Sequence, residues 1–529
     1  IGDAGAEDAK IVFDGNAADY HVGLDDSEDA LQIGLGSALG TTPRITIRAA
    51  EVVVNDLGID LDFRVESDNT AHLLFADGGE DVVGIGTPTP VPSNVAYKRA
   101  ALHIHQEQGG STGSQIHMTN DATGAAAGNG MFIAMWQDDD VYFTNQESDG
   151  NIKFSTGGNN NVLVLNANGS LSTTTAGTSN FRAGLNAGDA IVSGGTKNVL
   201  IGDEAGTGVT TGDQNTFVGY AAGDVTTTSS NNTGIGNNAL GGNILGSDSV
   251  AIGKDALEEQ NPAGTSIVSM NNVAVGTSAG QKITTGTQNT LIGGLAGDAL
   301  TAAFENVAIG YEAQTTDTLG RRTVAVGNGA LQSQNFTTAT NSYNTAVGYD
   351  AGTAVTTGIQ NTLIGGLAGD ALLAAADNVA VGFEALSTET GGQNNVAIGP
   401  RALKVQVNSS GNIYNTAVGA NAGTAVTTGI QNTLIGGGAG DALTDADSNV
   451  AIGYLSLTTD TLGSRAVAVG QGALFSQNFT TATNSYNVGI GYETGGAITT
   501  GRSNTLIGGL AGDALTDADY NVAIGTDAL

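Results

Sequence analysis

Two histidines, His103 and His105, form the most ligand-like pair in the sequence. They are two residues apart, so both imidazoles share one face if the segment is a β-strand. If three chains assemble around one axis, three such pairs supply six nitrogens for an octahedral metal ion. The alternative is a solvated strand face beside Gln106 and Glu107. The pair is a candidate structural metal site, and we expect no other cofactor.

Carboxylates form two further clusters, at residues 25–29 and 138–140. Their oxygens suit Ca²⁺, but neither cluster has the spacing of the twelve-residue EF-hand loop. The simpler interpretation is an acidic turn that keeps a strand edge hydrated and unpaired.

Catalytic groups are not arranged as hydrolysis requires. A glycosidase needs one pair of carboxylates about 5–10 Å apart in a cleft. The acids here instead recur after each Ala-Gly, at Asp298, Asp370, Asp441 and Asp513. Such periodicity indicates a structural turn or a repeated weak ion site. All five histidines precede residue 118, away from these acids. We therefore predict that the chain is not an enzyme.

A repeat defines the elements that must position all these residues. Each copy is a five-residue segment of the type Asn-x-Ala-Ile-Gly, and its closing Gly follows Ile or Val in all nineteen copies between Gly202 and Gly525. The copies are 17 residues apart, and every fourth interval has three to six residues more. This predicts a super-repeat of four rungs, and a degenerate earlier rung that ends at Gly184. Representative rung residues are Asn272, Gly276, Asn289, Gly293, Asn306 and Gly310.

The segment is too short for a helix and alternates as a strand does. Val and Ile share one face, and Asn and Ala share the other. Stacked copies would bring like residues to about 4.8 Å from one another, so that Asn amides form a ladder. We predict an all-β, elongated parallel β-solenoid in which each 17-residue rung has two strands and two turns. The Ile/Val and Ala/Leu faces are both apolar, which favours burial against neighbouring chains in an intertwined homotrimer.

The repeat resembles known fibres. The pattern Asn-x-Ala-Ile-Gly-x-x-Ala-Leu resembles the left-handed parallel β-roll of trimeric autotransporter adhesin heads. The variant Asn-Thr-Leu-Ile-Gly-Gly-x-Ala-Gly, as at 289–297, is similar to repeats of phage tail-fibre proteins. The resemblance spans residues 176–529, although these rungs exceed the usual length of an adhesin-head coil. It implies a phage tail fibre, located on the virion tail and extracellular; the alternative is a bacterial surface adhesin, and a polysaccharide-degrading tailspike is less favoured.

The remaining third has no 17-residue period and is expected to form small β-rich domains. We predict a connector or virion adaptor over 1–92, a small β domain over 93–175 and the solenoid over 176–529. Pro88, Pro90 and Pro92 form a stiff linker at the first boundary. Segments 23–36, 62–66 and 83–88 resemble shaft and connector segments of marine phage tail fibres, which implies that this region binds other virion proteins.

The inserts of the longer rungs follow Gly253, Gly327, Gly399 and Gly470. Loops carry recognition more often than the elements they join. At four rungs per insert, one loop is expected about every 19 Å. Aromatic and amide groups suit sugars, so these loops are candidates for binding a host-surface glycan or protein receptor; the alternative is a spacer. Their aromatic residues are Phe336, Tyr343, Tyr414, Phe479 and Tyr486.

The composition excludes several other partners. The net charge is −35, so nucleic acid and anionic lipid are not expected to bind. There is no Cys, which excludes disulfides and Cys-ligated zinc, and no apolar run approaches the length of a membrane span. Gly accounts for 81 of 529 residues. The last rung is of the third type, so the four-rung cycle predicts a fourth-type rung beyond Leu529.

Overall fold

A computed structural model shows strands and turns, and no helix, in the residues it describes. None of the described segments is a helix that is long and apolar enough to cross a membrane. The all-β prediction is confirmed. The chain divides into two compact units, Ile1–Lys153 with Leu165–Ser170, and Phe154–Val164 with Leu171–Leu529. The described residues are 9–27, 29–39, 43–49, 52–54, 63–67, 70–77, 82–85, 101–104, 114–118, 131–135, 141–145, 151–155, 161–165, 171–172 and 177–529.

The N-terminal strands form small sheets. An antiparallel five-stranded sheet comes first, and its strands are β1 (Ala9–Phe13), β2 (Tyr20–Asp25), β3 (Ala30–Leu35), β4 (Pro43–Ile47) and β5 (Val52–Val54). A four-stranded sheet follows, with strands β6 (Phe63–Ser67), β7 (Thr70–Asp77), β8 (Val82–Ile85) and β9 (Ala101–Ile104). Because β8 pairs in parallel with β9, this sheet joins residues on both sides of the predicted boundary at 92.

Two three-stranded sheets come next. The first consists of β10 (Ser114–Met118), β11 (Met131–Met135) and β12 (Val141–Asn145), and the second of β13 (Ile152–Ser155), β14 (Asn161–Leu165) and β15 (Leu171–Ser172).

The C-terminal unit is a parallel β-solenoid, as predicted. One three-residue strand from each rung enters a single parallel sheet of twenty strands. The first of them precedes Gly184, which confirms the degenerate rung. The strands are β16 (Phe181–Ala183), β17 (Val199–Ile201), β18 (Thr216–Val218), β19 (Thr233–Ile235), β21 (Val250–Ile252), β23 (Val273–Val275), β24 (Thr290–Ile292), β25 (Val307–Ile309), β27 (Val324–Val326), β29 (Thr345–Val347), β30 (Thr362–Ile364), β31 (Val379–Val381), β33 (Val396–Ile398), β35 (Thr416–Val418), β36 (Thr433–Ile435), β37 (Val450–Ile452), β39 (Val467–Val469), β41 (Val488–Ile490), β42 (Thr505–Ile507) and β43 (Val522–Ile524).

A second strand in every rung was predicted, and this is wrong. The rest of an ordinary rung is a series of turns, because residues such as Gln288, Leu295 and Gly297 have φ near +60°. Backbone hydrogen bonds still join these turns from rung to rung, as from Gly280 N–H to the Ala296 carbonyl (2.9 Å). Paired two-residue strands occur beside the four inserts: β20 (Gly246–Ser247) with β22 (Val268–Ser269), β26 (Gly320–Arg321) with β28 (Thr340–Asn341), β32 (Gly392–Gln393) with β34 (Gly411–Asn412), and β38 (Gly463–Ser464) with β40 (Thr483–Asn484).

The interior of the solenoid is the Asn and Ala/Leu face of the strands. Asn289 and Leu291 are fully buried, whereas Ile292 points outward and is 37% exposed. Of the two apolar faces that were predicted to be buried against neighbouring chains, the Ala/Leu face is instead buried inside the chain's own coil. The Ala/Leu ladder is the core, and the Ile/Val ladder is on the surface.

Each buried Asn ties its rung to the next. The Oδ1 atom of Asn289 accepts hydrogen bonds from the backbone N–H and the side-chain amide of Asn306, both at 3.1 Å. Its Nδ2 donates to the Ala303 carbonyl across the rung (3.0 Å) and to Asn272 Oδ1 (3.1 Å). Burial is tolerated because every polar atom of the amide has a partner.

The closing glycines let adjacent backbones approach closely. Gly293 has φ +133°, and a Cβ built there would lie 2.4 Å from the carbonyl oxygen of Gly310. Gly276 and Gly310 have the same conformation and the same close contact with the next rung. A side chain at these positions is excluded both by the neighbouring carbonyl and by the backbone conformation.

Neighbouring glycines provide a matched test of this constraint. We expect Gly293→Ala to lower the free energy of unfolding by about 2–4 kcal/mol, because the methyl group collides with backbone. Gly294→Ala should change it by less than about 1 kcal/mol, since its nearest contact is Tyr311 Cδ2 at 3.4 Å. Urea unfolding followed by circular dichroism measures both. Equal effects of the two substitutions would contradict the close-approach explanation.

Replacement of Asn289 tests the amide ladder. We expect Asn289→Ala to leave the Asn306 N–H and the Ala303 carbonyl unpaired, at about 1–3 kcal/mol for each group. Hydrogen exchange should accelerate at residues 303–310 and remain slow at residues 432–436. The control is Asn341→Ala, which removes an exposed Asn. Unchanged exchange at 303–310 would show that the ladder contributes little stability.

Candidate functional site

The outward strand face is a regular apolar surface of the solenoid. Its two columns stack in register, with Val307 on Val324 and Ile309 on Val326. The Ile column is about one-third exposed along its length, from Ile201 (36%) to Ile507 (37%). A continuous exposed β-branched ladder of this kind is a candidate interaction surface.

The insert aromatics divide into two groups. Phe336 and Phe479 are buried at 5% exposure, which removes them as surface contacts. Tyr343, Tyr414 and Tyr486 are each about half exposed. The Tyr343 hydroxyl accepts a hydrogen bond from Arg322 Nη1 (2.9 Å), and Arg465 makes the same contact with Tyr486. Tyr343 and Tyr486 are thus held by the preceding rung, and all three tyrosines remain candidates for contact with a receptor.

A buried carboxylate anchors each of the last three inserts. Asp317 lies eleven residues after Asn306, where an ordinary rung has an apolar residue such as Leu300. One oxygen accepts the N–H groups of Gly320 (3.0 Å) and Phe336 (3.1 Å). The other accepts the side-chain amide of Gln334 at 2.6 Å. These hydrogen bonds fix the first residues of the insert and compensate the buried charge.

A buried carboxylate with the same hydrogen-bond partners recurs along the solenoid. Glu389 accepts Gly392 N–H (2.8 Å) and Gln406 Nε2 (2.7 Å), and Asp460 accepts Gly463 N–H and Gln477 Nε2. The sequence analysis missed these acids. Their signal is a charged residue at an otherwise apolar position of every fourth rung.

Aromatic residues directly after the closing Gly were also missed. They are more than half exposed, and from Tyr311 onward they tend to occupy alternate rungs. The Tyr311 ring lies over Gly294 of the preceding rung, and the Tyr454 ring lies over Gly437. We call this set the aromatic column: Tyr220, Tyr311, Tyr349, Phe383, Tyr454 and Tyr492.

Acidic neighbours raise the pKa of several tyrosines in this column. The Tyr311 hydroxyl hydrogen-bonds to Glu312, which raises the pKa of Tyr311 above its usual value. The same effect raises the pKa of Tyr349 beside Asp350 and of Tyr492 beside Glu493. At these three positions the column places a phenol hydroxyl next to a carboxylate.

The solenoid surface also contains a groove of about 460 Å³. Tyr454 and Phe475 line it with apolar ring surface, and Glu493 and Asp513 contribute carboxylates. Neither Glu493 nor Asp513 is one of the buried carboxylates that anchor the inserts, and both residues are exposed.

The predicted metal ligands are only in part within the described residues. His103 lies in β9, opposite Gly84, and His105 lies outside the described residues. In the first acidic cluster, Asp25 accepts hydrogen bonds from Ser27 and Gln32, as a structural turn does. Within the described parts of the chain, no three His, Cys, Asp or Glu side chains form a group that could hold a metal ion. The 138–140 cluster lies outside those parts.

The periodic acids of the Ala-Gly-Asp turns differ in their surroundings. Burial raises the pKa of Asp298 and of Asp370, and nearby Glu384 and Asp350 raise that of Asp370 further. The Asp298 carboxylate accepts a hydrogen bond from Thr315, and Asp441 accepts one from Thr458. These hydrogen bonds to the next rung identify a turn residue.

Comparison with known proteins yields no relative: no family model, curated protein or solved structure matches the chain.

Neutralising Asp370 tests its environment. Because its folded pKa is raised, the charged form destabilises the fold, and this penalty disappears as pH falls through the folded value. We expect Asp370→Asn to stabilise the protein at pH 7 and to have no effect near pH 3, where the wild-type group is protonated. Thermal unfolding at both pH values measures this. Asp517→Asn, which removes an exposed charge, controls for net charge; an equal gain from both would contradict the local explanation.

Proposed function

We propose that the chain forms the shaft of a homotrimeric extracellular fibre, of the phage tail-fibre kind, that attaches a virion to a host surface. One observation carries the proposal: the solenoid exposes an apolar ladder along its whole length. Resemblance of the repeats to tail-fibre and adhesin-head repeats supports the fibre class. A bacterial surface adhesin would use the same shaft.

The ladder is long enough to contact two neighbouring chains at once. Twenty strands about 4.8 Å apart, each three residues wide at about 3.3 Å per residue, give a face of roughly 900 Å² per chain. In a trimer, the Val/Thr column would contact one neighbour and the Ile/Val column the other, so each contact receives roughly 450 Å² from the ladder. A typical specific interface buries about 800 Å² on each partner, so surfaces beside the ladder must contribute the rest.

The interior explains why such a shaft can bear load. Buried amides and backbone hydrogen bonds connect every rung to the next, so extension of the rod would require many bonds to break together. Three shafts side by side add stiffness, and several fibres on one particle add avidity. The N-terminal unit would bind other virion proteins, and the exposed surface of the solenoid would meet a glycan or protein receptor.

Charged substitutions in the ladder test the assembly. We expect the wild-type chain to have the mass of a trimer in analytical ultracentrifugation. The triple variant Ile292→Lys, Ile364→Lys and Ile435→Lys should be monomeric with an unchanged circular dichroism spectrum, because three buried charges per chain cannot be paired.

The control variant is Asn341→Lys, which places a charge on an exposed insert strand and should remain trimeric. A monomeric wild-type protein would overturn self-association. A dimer would show that two ladders pack face to face and would overturn the trimer.

A further inference from the structure

The groove at Tyr454 breaks the repetition of the solenoid surface. Equivalent positions in earlier super-repeats hold a polar bridge between the third and fourth rungs. Glu312 accepts a hydrogen bond from Gln332 Nε2 at 2.5 Å, and Glu384 forms an ion pair with Lys404 at 2.7 Å. In the groove these positions are Leu455 and Phe475.

This exchange changes what the surface can bind. A polar bridge satisfies its own groups, whereas Leu455 and Phe475 leave apolar surface in contact with solvent. Phe475 is 40% exposed and Tyr454 is 59% exposed. Two aromatic side chains therefore face solvent within one groove, without a protein partner that covers them.

Glycines beside the groove keep it open. Gly472 lines it, and a Cβ there would lie 3.2 Å from Glu493 Cγ. Gly438 lies beneath Leu455, where a Cβ would lie 2.8 Å from Leu455 Cδ2. Both have φ near +60°. Larger residues would displace the side chains that form the walls.

The charged groups of the groove are two hydrogen-bond acceptors, Glu493 and Asp513, and Gln471 and Ser476 add side chains that can donate. The carboxylates can accept hydrogen bonds from hydroxyls, and the protein's net charge of −35 disfavours an acidic ligand. Ligand sites commonly combine apolar and aromatic walls with a few polar groups and occupy about 300–1,000 Å³. Ring faces match the C–H faces of a pyranose, and carboxylates match its hydroxyls.

We propose that this groove binds a neutral oligosaccharide. The proposal rests on the role in surface attachment and deepens it by naming a ligand class and a site. Tyr492 lies two rungs beyond Tyr454, about 10 Å along the solenoid, so that a sugar chain can continue along the aromatic column.

Titration calorimetry with neutral pentasaccharides tests the site. The probes are cellopentaose, maltopentaose and chitopentaose, with an alginate oligomer as the acidic comparison and a chitosan oligomer as the cationic one. We expect at least one neutral probe to bind and alginate not to bind. Tyr454→Ala should weaken binding roughly tenfold or more, because a stacking face is lost.

An internal transplant provides the matched variant. The double substitution Leu455→Glu with Phe475→Gln recreates the Glu312–Gln332 bridge, which this fold already tolerates, and should abolish binding with no change in circular dichroism or mass. The reverse transplant, Leu295→Gly and Glu312→Leu with Gln332→Phe, should create a second groove and raise the stoichiometry from about one to about two per chain.

Three outcomes would overturn the site: no binding of any neutral probe, binding unaffected by the double substitution, or binding of the chitosan oligomer alone. The mass from analytical ultracentrifugation separates the sugar-binding proposal from the fibre proposal. A trimer that binds no sugar would contradict the sugar-binding proposal alone. A monomer that binds sugar through Tyr454 would contradict the fibre proposal alone.

Discussion

Stacking of one buried Asn on the next, every 17 residues, is the interaction on which the rest of this structure depends. The side-chain amide joins three places at once: its own turn, the rung before and the rung after. It can do so only if the strands are in register, which requires a Gly where consecutive backbones nearly touch. The register also determines the pattern of the surface, because an outward-pointing residue that is repeated at the same position of each rung forms a column on the outside of the solenoid.

The super-repeat follows from the points where this ladder is interrupted. Ser249, Thr323 and Ala466 replace Asn in fourth-type rungs, and a buried Gln of the same rung takes over the missing acceptor. Asn344, for example, donates to Gln334 Oε1 at 2.8 Å. The Gln in turn donates to the buried acid that holds the insert. The inserts are therefore integrated into the core, and their phenylalanines point inward. In the last three inserts a half-exposed tyrosine precedes the Asn of the next rung, at Tyr343, Tyr414 and Tyr486.

Function in a repetitive molecule is best sought where repetition fails. Ladders repeated in every rung suit self-association, since a long interface benefits from uniformity. A recognition site needs a local shape, and the groove around Phe475 arises because one rung pair exchanges a polar bridge for two apolar side chains. The two proposals accordingly use different residues of the same rungs.

The sequence by itself determined the period, the number of rungs, the parallel register and the positions of the inserts, because each of these is a spacing and stacking converts spacing directly into geometry. It did not determine which strand face is inside. Alternation defines two faces, and the one with Ile and Val is the more apolar, yet the face with Asn and Ala is buried. Only the tertiary structure decided this, because the Asn amides are satisfied by neighbouring rungs and small Ala side chains fit a thin coil. It likewise buried Phe336 and brought Tyr454, Phe475, Glu493 and Asp513 together, since contacts across rungs depend on where each turn directs its side chains.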